Sequence, residues 1–318
     1  MRILVWHVHG SWMTSFVAGP DTYLIPVVPG RGPQGRGRAQ TWDWPAAAVE
    51  VTRGQLRDDG FDVVVLQRPE ELDLLEQWTG LRAGRDVPAV YVEHNTPRGP
   101  AVETVHPLAG RDDIPVVHVT AFNALVWDTG VAPTWVVEHG VPDPGHRYTG
   151  ETERVGAVVN EPVRRWRVAG TDLLLRLGAQ VPLSVFGMQT GALAARAPAL
   201  TGHLHDLGQD EMHTALATHR AYLHPYRWTS LGLALLEAMT LGMPVLVVAA
   251  TAAPEAVPPG TGVVSSRPEV LAAAARRWLA DPAEAREVGA AARRHALDTF
   301  GLDRFLADWQ RLLKEVAR

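Results

Sequence analysis

The chain has 318 residues, 46% hydrophobic and 20% charged, with a net charge of −5. That length suits two domains of roughly 150 residues, the balance excludes a disordered chain, and the negative charge gives no reason to expect nucleic acid as a partner. Cysteine is absent, which excludes a disulfide framework, a thiolate metal site and a cysteine nucleophile.

The first half alternates short apolar runs with helical patterns. Ile3 to His7 and Thr22 to Val28 read as strands, Asp62 to Leu66 as a buried strand, and Pro69 to Trp78 as a helix opened by proline and acids. Ala89 to Val92 and Val116 to Val119 are further strands, with a helix over Ala121 to Asp128. The stretch from Pro142 to Gly150 breaks the alternation and reads as a linker. The pattern then restarts, with strands at Val155–Val159, Leu183–Phe186, Ala221–His224 and Pro244–Val248. Helices fall at Thr171–Leu177, Glu211–Ala217 and Leu231–Thr240, and three long ones close the chain from Glu269, Pro282 and Asp303. Strand–helix alternation implies parallel sheets covered on both faces. Two doubly wound Rossmann-like α/β domains are expected, residues 1–145 and 146–318, with the last helix free to cross back to the first domain. A cleft at the carboxyl ends of the strands would lie between them. No apolar run approaches the ~20 residues that span a bilayer. The opening Met1–Trp6 stretch is too short for a secretory signal, so a cytoplasmic protein is expected.

One segment carries the strongest site signal. His224-Pro225-Tyr226-Arg227-Trp228-Thr229-Ser230-Leu231-Gly232 ends a strand, turns, and opens a helix at Thr229 or Ser230, both good N-caps. The amides of Leu231, Gly232 and Leu233 would be unpaired and aided by the helix dipole, an arrangement that binds phosphate. Glu237 follows on the same helix, placed to accept from the ribose hydroxyls of a nucleotide whose diphosphate sits at the helix start. This segment, with Leu241-Gly242-Met243-Pro244-Val245 after it, resembles the donor-binding signature of retaining GT-B glycosyltransferases of family four (group 1). Pro225, Gly232, Glu237, Ala238, Met239, Gly242 and Pro244 match. Thr229 stands where the family carries a glutamate eight residues before Glu237, and Ser230 where it carries a glycine. Thr229 can still hydrogen-bond a donor-sugar hydroxyl, without charge.

The resemblance implies further residues. Family members place two cations after the first strand of the second domain to neutralise the leaving diphosphate. Here Arg164, Arg165 and Arg167 stand in that loop, and arginine donates a bidentate fork to phosphate; which two of the three matter is open. Thr171 is the expected cap of the following helix. Related enzymes place a histidine against the reacting centre after a strand of the first domain, which makes His94 the candidate. Gly10 and Ser11, with Trp12 beside them, fit loosely the family's glycine-rich turn on the acceptor side, and Trp42 and Trp44 could also stack on a sugar. Glu138-His139-Gly140-Val141 is similar to the turn before the interdomain linker.

Two signals are discounted. Gly30-Arg31-Gly32-Pro33-Gln34-Gly35 satisfies a dinucleotide fingerprint in letters only, because Pro33 interrupts it and no helix follows. It reads as a mobile loop with Arg31, Arg36 and Arg38. His7 and His9, like His203 and His205, are pairs too small for a metal site, so no metal and no cofactor are expected. The implied activity is hexosyl transfer, retaining and metal-independent, from a nucleotide sugar to an unidentified acceptor hydroxyl. A catalytically idle scaffold and a sugar-nucleotide epimerase are the alternatives. A homo-oligomer stays open.

Overall fold

The computed structural model describes residues 1–318, which form two compact units. Unit 1 comprises Met1–Gly140 and Leu302–Arg318, and unit 2 comprises Val141–Gly301.

Unit 1 is built on strands β1 (Arg2–Val5), β2 (Thr22–Pro26), β3 (Ala48–Val51), β4 (Val63–Leu66), β5 (Ala89–Glu93), β6 (Val116–His118) and β7 (Thr134–Val136). They pair parallel throughout, in the order β3-β2-β1-β4-β5-β6-β7. The order reverses direction between β1 and β4, which creates a crevice at their carboxyl ends. The central strands are apolar and fully buried because helices cover both faces of a parallel sheet; β4, with sequence VVVL, is the clearest case. Helices α1 (Gly10–Phe16), α2 (Arg53–Asp59), α3 (Glu70–Thr79) and α4 (Ala121–Val126) connect them. A capping box of Thr52 and Gln55 opens α2, and three acids lie in the first turn of α3.

Unit 2 repeats the plan with β8 (Thr152–Val158), β9 (Leu183–Phe186), β10 (Leu204–His205), β11 (His219–His224), β12 (Val245–Val248) and β13 (Gly262–Ser265). Their order is β10-β9-β8-β11-β12-β13, again parallel, with the reversal between β8 and β11. Its helices are α5 (Thr171–Gly178), α6 (Gln209–Ala217), α7 (Leu233–Leu241), α8 (Ala253–Ala256), α9 (Pro268–Ala280) and α10 (Pro282–Phe300). Every residue of α7 from Leu235 to Leu241 is buried, as an all-round apolar helix requires.

The stretch expected to be a linker has no regular structure, yet it is fastened along unit 2. The Arg147 and Tyr148 amides donate to the Leu241 carbonyl, Thr149 donates to Ala217, and Asp143 pairs with Arg293 at 2.7 Å.

The last helix, α11 (Leu302–Val316), buries Phe305, Trp309, Leu312 and Leu313, one stripe at helical spacing. Within unit 1, Trp309 meets Phe16 at 5.1 Å and Trp12 at 5.6 Å, and Phe305 meets Trp12 at 6.3 Å. Gln310 hydrogen-bonds Asp21. No helix is long and apolar enough to cross a membrane.

Candidate functional site

Each unit gathers its chemistry at the carboxyl ends of its central strands. In unit 2 the two loops at the reversal are those after β8 and β11, and they are locked to each other. The Arg227 and Trp228 amides donate to the Val168 carbonyl at 3.0 and 3.4 Å. Gly170 has φ +72°, and a Cβ there would overlap the Pro225 carbonyl, so the two backbones touch where only glycine fits.

The helix after β11 begins later than its sequence suggests. Its first residue is Leu233, its N-cap is Gly232 in an extended conformation, and no side chain caps it. Thr229 and Ser230 therefore lie in the preceding turn. Ser230 is buried and its carbonyl accepts from the Ala252 amide at 3.3 Å, which holds this turn extended and delays the helix. The backbone N–H groups of Leu231, Gly232, Leu233 and Ala234 donate to no backbone carbonyl, the condition for receiving an anion. Gly232 is also required by packing, since a Cβ there would overlap the ring of His224. Burial holds that histidine neutral, with its pKa pushed down to about 3. Thr229 is half-buried in the same turn.

Glu237 lies four residues past the helix start, about 6 Å along the axis at 1.5 Å per residue, a turn nearer than a start at Thr229 or Ser230 would place it. It is 8% exposed. Gln209 Nε2 donates to its Oε1 at 3.1 Å and His213 Nε2 lies 3.3 Å from its Oε2. Both side chains come from α6 and fix the carboxylate. Sequence reasoning missed them, because nothing local connects α6 with α7.

The three arginines after β8 have separate partners. Arg164 pairs with Glu161. Arg167 shares Asp172 with Arg227, at 3.1 and 2.5 Å respectively. Arg165 makes no ion pair; its guanidinium lies over the Tyr226 ring, 5.5 Å from the centroid, and Tyr226 in turn stacks on His224 at 4.8 Å. Arg165 is thus the cation of this loop that bears no carboxylate. Thr171 does not cap α5; Gly170 is the N-cap, and the Thr171 hydroxyl donates to the Pro162 carbonyl at 2.7 Å.

In unit 1 the loops after β1, β4 and β5 bring His9, Gln67 and His94 together. Gln67 gives its amide hydrogens to the Trp6 carbonyl at 2.7 Å, so its Oε1 faces His94 Nε2 at 2.9 Å. Nε2 therefore carries the hydrogen and Nδ1 is the unprotonated nitrogen. The His9 and His94 rings are 4.2 Å apart. His139 is 5% exposed and its Nδ1 has no partner. All three stay neutral. Burial and then His9 depress His94 well below its ordinary value; burial and the charges of Arg36, Arg68 and Arg98 bring His9 to about 4; burial, His9 and Arg304 bring His139 to about 3.

Other acceptor-side expectations meet packing instead. Trp12 is 1% exposed within the Phe16, Phe305 and Trp309 cluster, so it presents no face to a sugar. Trp44 is 2% exposed and donates to Thr14 at 2.9 Å. Gly10 opens α1, where a Cβ would overlap the Trp42 ring, and Ser11 follows it in the same helix. The glycine-rich loop after β2 is pinned rather than loose. Arg31 pairs with Glu50 at 2.7 Å, and Arg38 donates to the carbonyls of Trp44, Pro45 and Ala48. No group of three His, Cys, Asp or Glu side chains is arranged to hold a metal.

Comparison with known proteins bears on the fold and on part of unit 2. Residues 186–295 match the family described as glycosyl transferases group 1, a span that includes α7 but not the arginine loop. No curated protein sequence matches the chain. Among solved structures, HepE of Anabaena in complex with UDP-glucose is 16% identical, covers 99% of this chain and 100% of its own, and superposes with a TM-score of 0.71. The sucrose-phosphate synthase of Thermosynechococcus elongatus is 16% identical, with 99% of each chain covered and a TM-score of 0.70. TarM, at 14% identity and a TM-score of 0.67, covers 82% of this chain, which spans only 57% of TarM. The chain has the GT-B fold, and its residues 186–295 are similar to the glycosyl transferases group 1.

Proposed function

We propose that the chain transfers a sugar from a nucleoside-diphosphate sugar to an acceptor hydroxyl, with retention and without a metal ion. The observation that carries this reading is the set of unpaired amides from Leu231 to Ala234, with Arg165 on the adjoining loop and Glu237 about one turn into the helix. Amides and dipole would stabilise the departing diphosphate, Arg165 would add charge-assisted hydrogen bonds, and Glu237 would accept from the ribose. The solved structures of HepE with UDP-glucose and with UDP and glucose support a UDP-sugar as the first donor to test. In retaining transfer the acceptor hydroxyl approaches from the face the diphosphate leaves, and a phosphate oxygen can take its proton. No covalent intermediate is needed, so positioning and electrostatics carry the catalysis. His94, with Nε2–H fixed on Gln67, is the group we assign beside the reacting centre. Thr229 offers the sugar a neutral hydroxyl in place of a carboxylate.

The loss of that carboxylate is the one feature that favours an idle scaffold. A panel of UDP-, GDP-, ADP- and TDP-sugars, assayed for nucleoside diphosphate release and for altered donor in EDTA, separates the readings. Release with transfer or hydrolysis supports the proposal. A changed sugar without release indicates an epimerase. Binding without turnover indicates a scaffold, and activity restored only by magnesium or manganese overturns metal independence.

A further inference from the structure

Three loops of unit 1, after β2, β4 and β5, each carry an arginine at the sheet edge where His9 follows β1, and these strands are neighbours in the order β2-β1-β4-β5. Arg36 follows β2, Arg68 follows β4 and Arg98 lies in the loop after β5, all at the carboxyl edge of a parallel sheet. Arg36 is held there by structure: it bridges to Val27, the Gly37 amide donates to the Pro26 carbonyl at 2.9 Å, and the Gly37 carbonyl meets His7 Nδ1 at 3.0 Å. The Arg31–Glu50 pair pins the same loop from outside. The charges of Arg36, Arg68 and Arg98 all bear on His9.

Their partners are few. Arg36 and Arg98 are exposed and form no ion pair. Arg68 reaches Glu71 through Nε at 2.8 Å, but its Nη2 is buried with no partner. Elsewhere in the unit, Arg304 pairs with Asp308 and donates to the Glu138 and His139 carbonyls, while its Nε has no partner. An unpaired buried guanidinium nitrogen is costly, and in a chain of net charge −5 only Arg68 of these three cations meets an acid, Glu71. Beside it His139 also keeps an unpartnered nitrogen.

We infer that the acceptor held by unit 1 carries an oxyanion, a phosphate ester or a carboxylate, gripped by Arg36, Arg68 and Arg98 around His9. The inference rests on the sugar-transfer reading and names the acceptor's class. Guanidinium forks suit both anions, and the neutral histidines leave the cation charge uncompensated.

The test offers the full-length chain matched acceptors: glycerol with glycerol 3-phosphate, and glucose with glucose 6-phosphate and with glucuronate. Binding is read by titration and transfer by nucleoside diphosphate release, for the wild type and for an Arg36→Gln, Arg98→Gln double variant. Both positions are exposed, so folding should survive. The expected result is a preference of at least about tenfold for one anionic member over its neutral partner, which collapses in the double variant while UDP affinity stays within about twofold. Which anion is preferred tells phosphate from carboxylate. Equal binding of charged and neutral compounds would overturn the inference. So would a fall in UDP affinity as large as the fall in acceptor affinity, since the arginines would then serve the donor. If no nucleotide sugar is consumed at all, the transfer reading fails, and the binding titrations still decide whether unit 1 takes an anion.

Discussion

The two sheets carry the same topological reversal and end in different chemistry. Unit 2 offers backbone amides, a stacked arginine and one carboxylate fixed by Gln209 and His213. Unit 1 offers three histidines, His9, His94 and His139, held neutral chiefly by loss of solvent. The difference follows from how each is assembled. The unit 2 site is two loops in backbone contact, so its geometry is set by main chain. The unit 1 site is assembled from side chains contributed by separate loops, so its geometry is set by packing and its stability by protonation.

The sharpest way to break this contrast is at Gly170. A Gly170→Ala change forces a side chain into a left-handed conformation and against the Pro225 carbonyl. The expected cost is roughly 2–4 kcal/mol, read as a lowered urea midpoint, with nucleotide binding lost alongside it. A variant as stable as the wild type would show that the two loops are not locked.

Acidification should act on unit 1. The pKa values of His9 and His139 are lowered from an ordinary 6.5 to about 4 and about 3. Their contribution is therefore complete above pH 6.5 and is lost as pH falls towards those values. His139 alone should cost about 2 kcal/mol between pH 6.5 and 5. Glu71 runs the other way: burial raises its pKa to about 7, so its stabilisation is present below about pH 4.5 and fades as pH rises through 7. Unfolding midpoints at pH 7 and 5 should separate by less in His139→Gln than in the wild type. An equal separation would remove His139 from the acid response.

The arginines sharpen the comparison within unit 2. Arg165→Ala should weaken nucleoside diphosphate binding about tenfold, whereas Arg164→Ala, which removes an exposed pair with Glu161, should change it less than twofold. Equal losses in a binding titration would mean that the ion pair with Glu161 opens for the ligand.

The same contrast explains what could be read from the sequence. The strands of both cores were legible because central parallel strands are continuous apolar runs, Val63–Leu66 and Val245–Leu246-Val247-Val248 among them. The strands left unread, β3, β7, β10 and β13, are short and lie at sheet edges with partly exposed patterns. The donor segment was legible because Pro225 to Pro244 is contiguous. Its helix start was misplaced because Thr229 and Ser230 look like caps, while a contact made far away in sequence, Ser230 with Ala252, delays the helix. The partners of Glu237 and the grouping of His9, Gln67, His94 and His139 depend on neighbours supplied by the fold. Trp12 and Trp44 follow the commoner use of tryptophan, as core.

The central claim is that a nucleotide sits at the start of α7 with its ribose on Glu237. Calorimetric titration of UDP into the wild type and Glu237→Gln tests it most directly, since Gln209 and His213 can hold the neutral amide in place of the carboxylate. The expected result is binding by the wild type and a loss of about tenfold or more in the variant, corresponding to about 1.5–3 kcal/mol for a hydrogen bond to a charged group, with the unfolding midpoint little changed. Wild-type and variant affinities that are the same would contradict it.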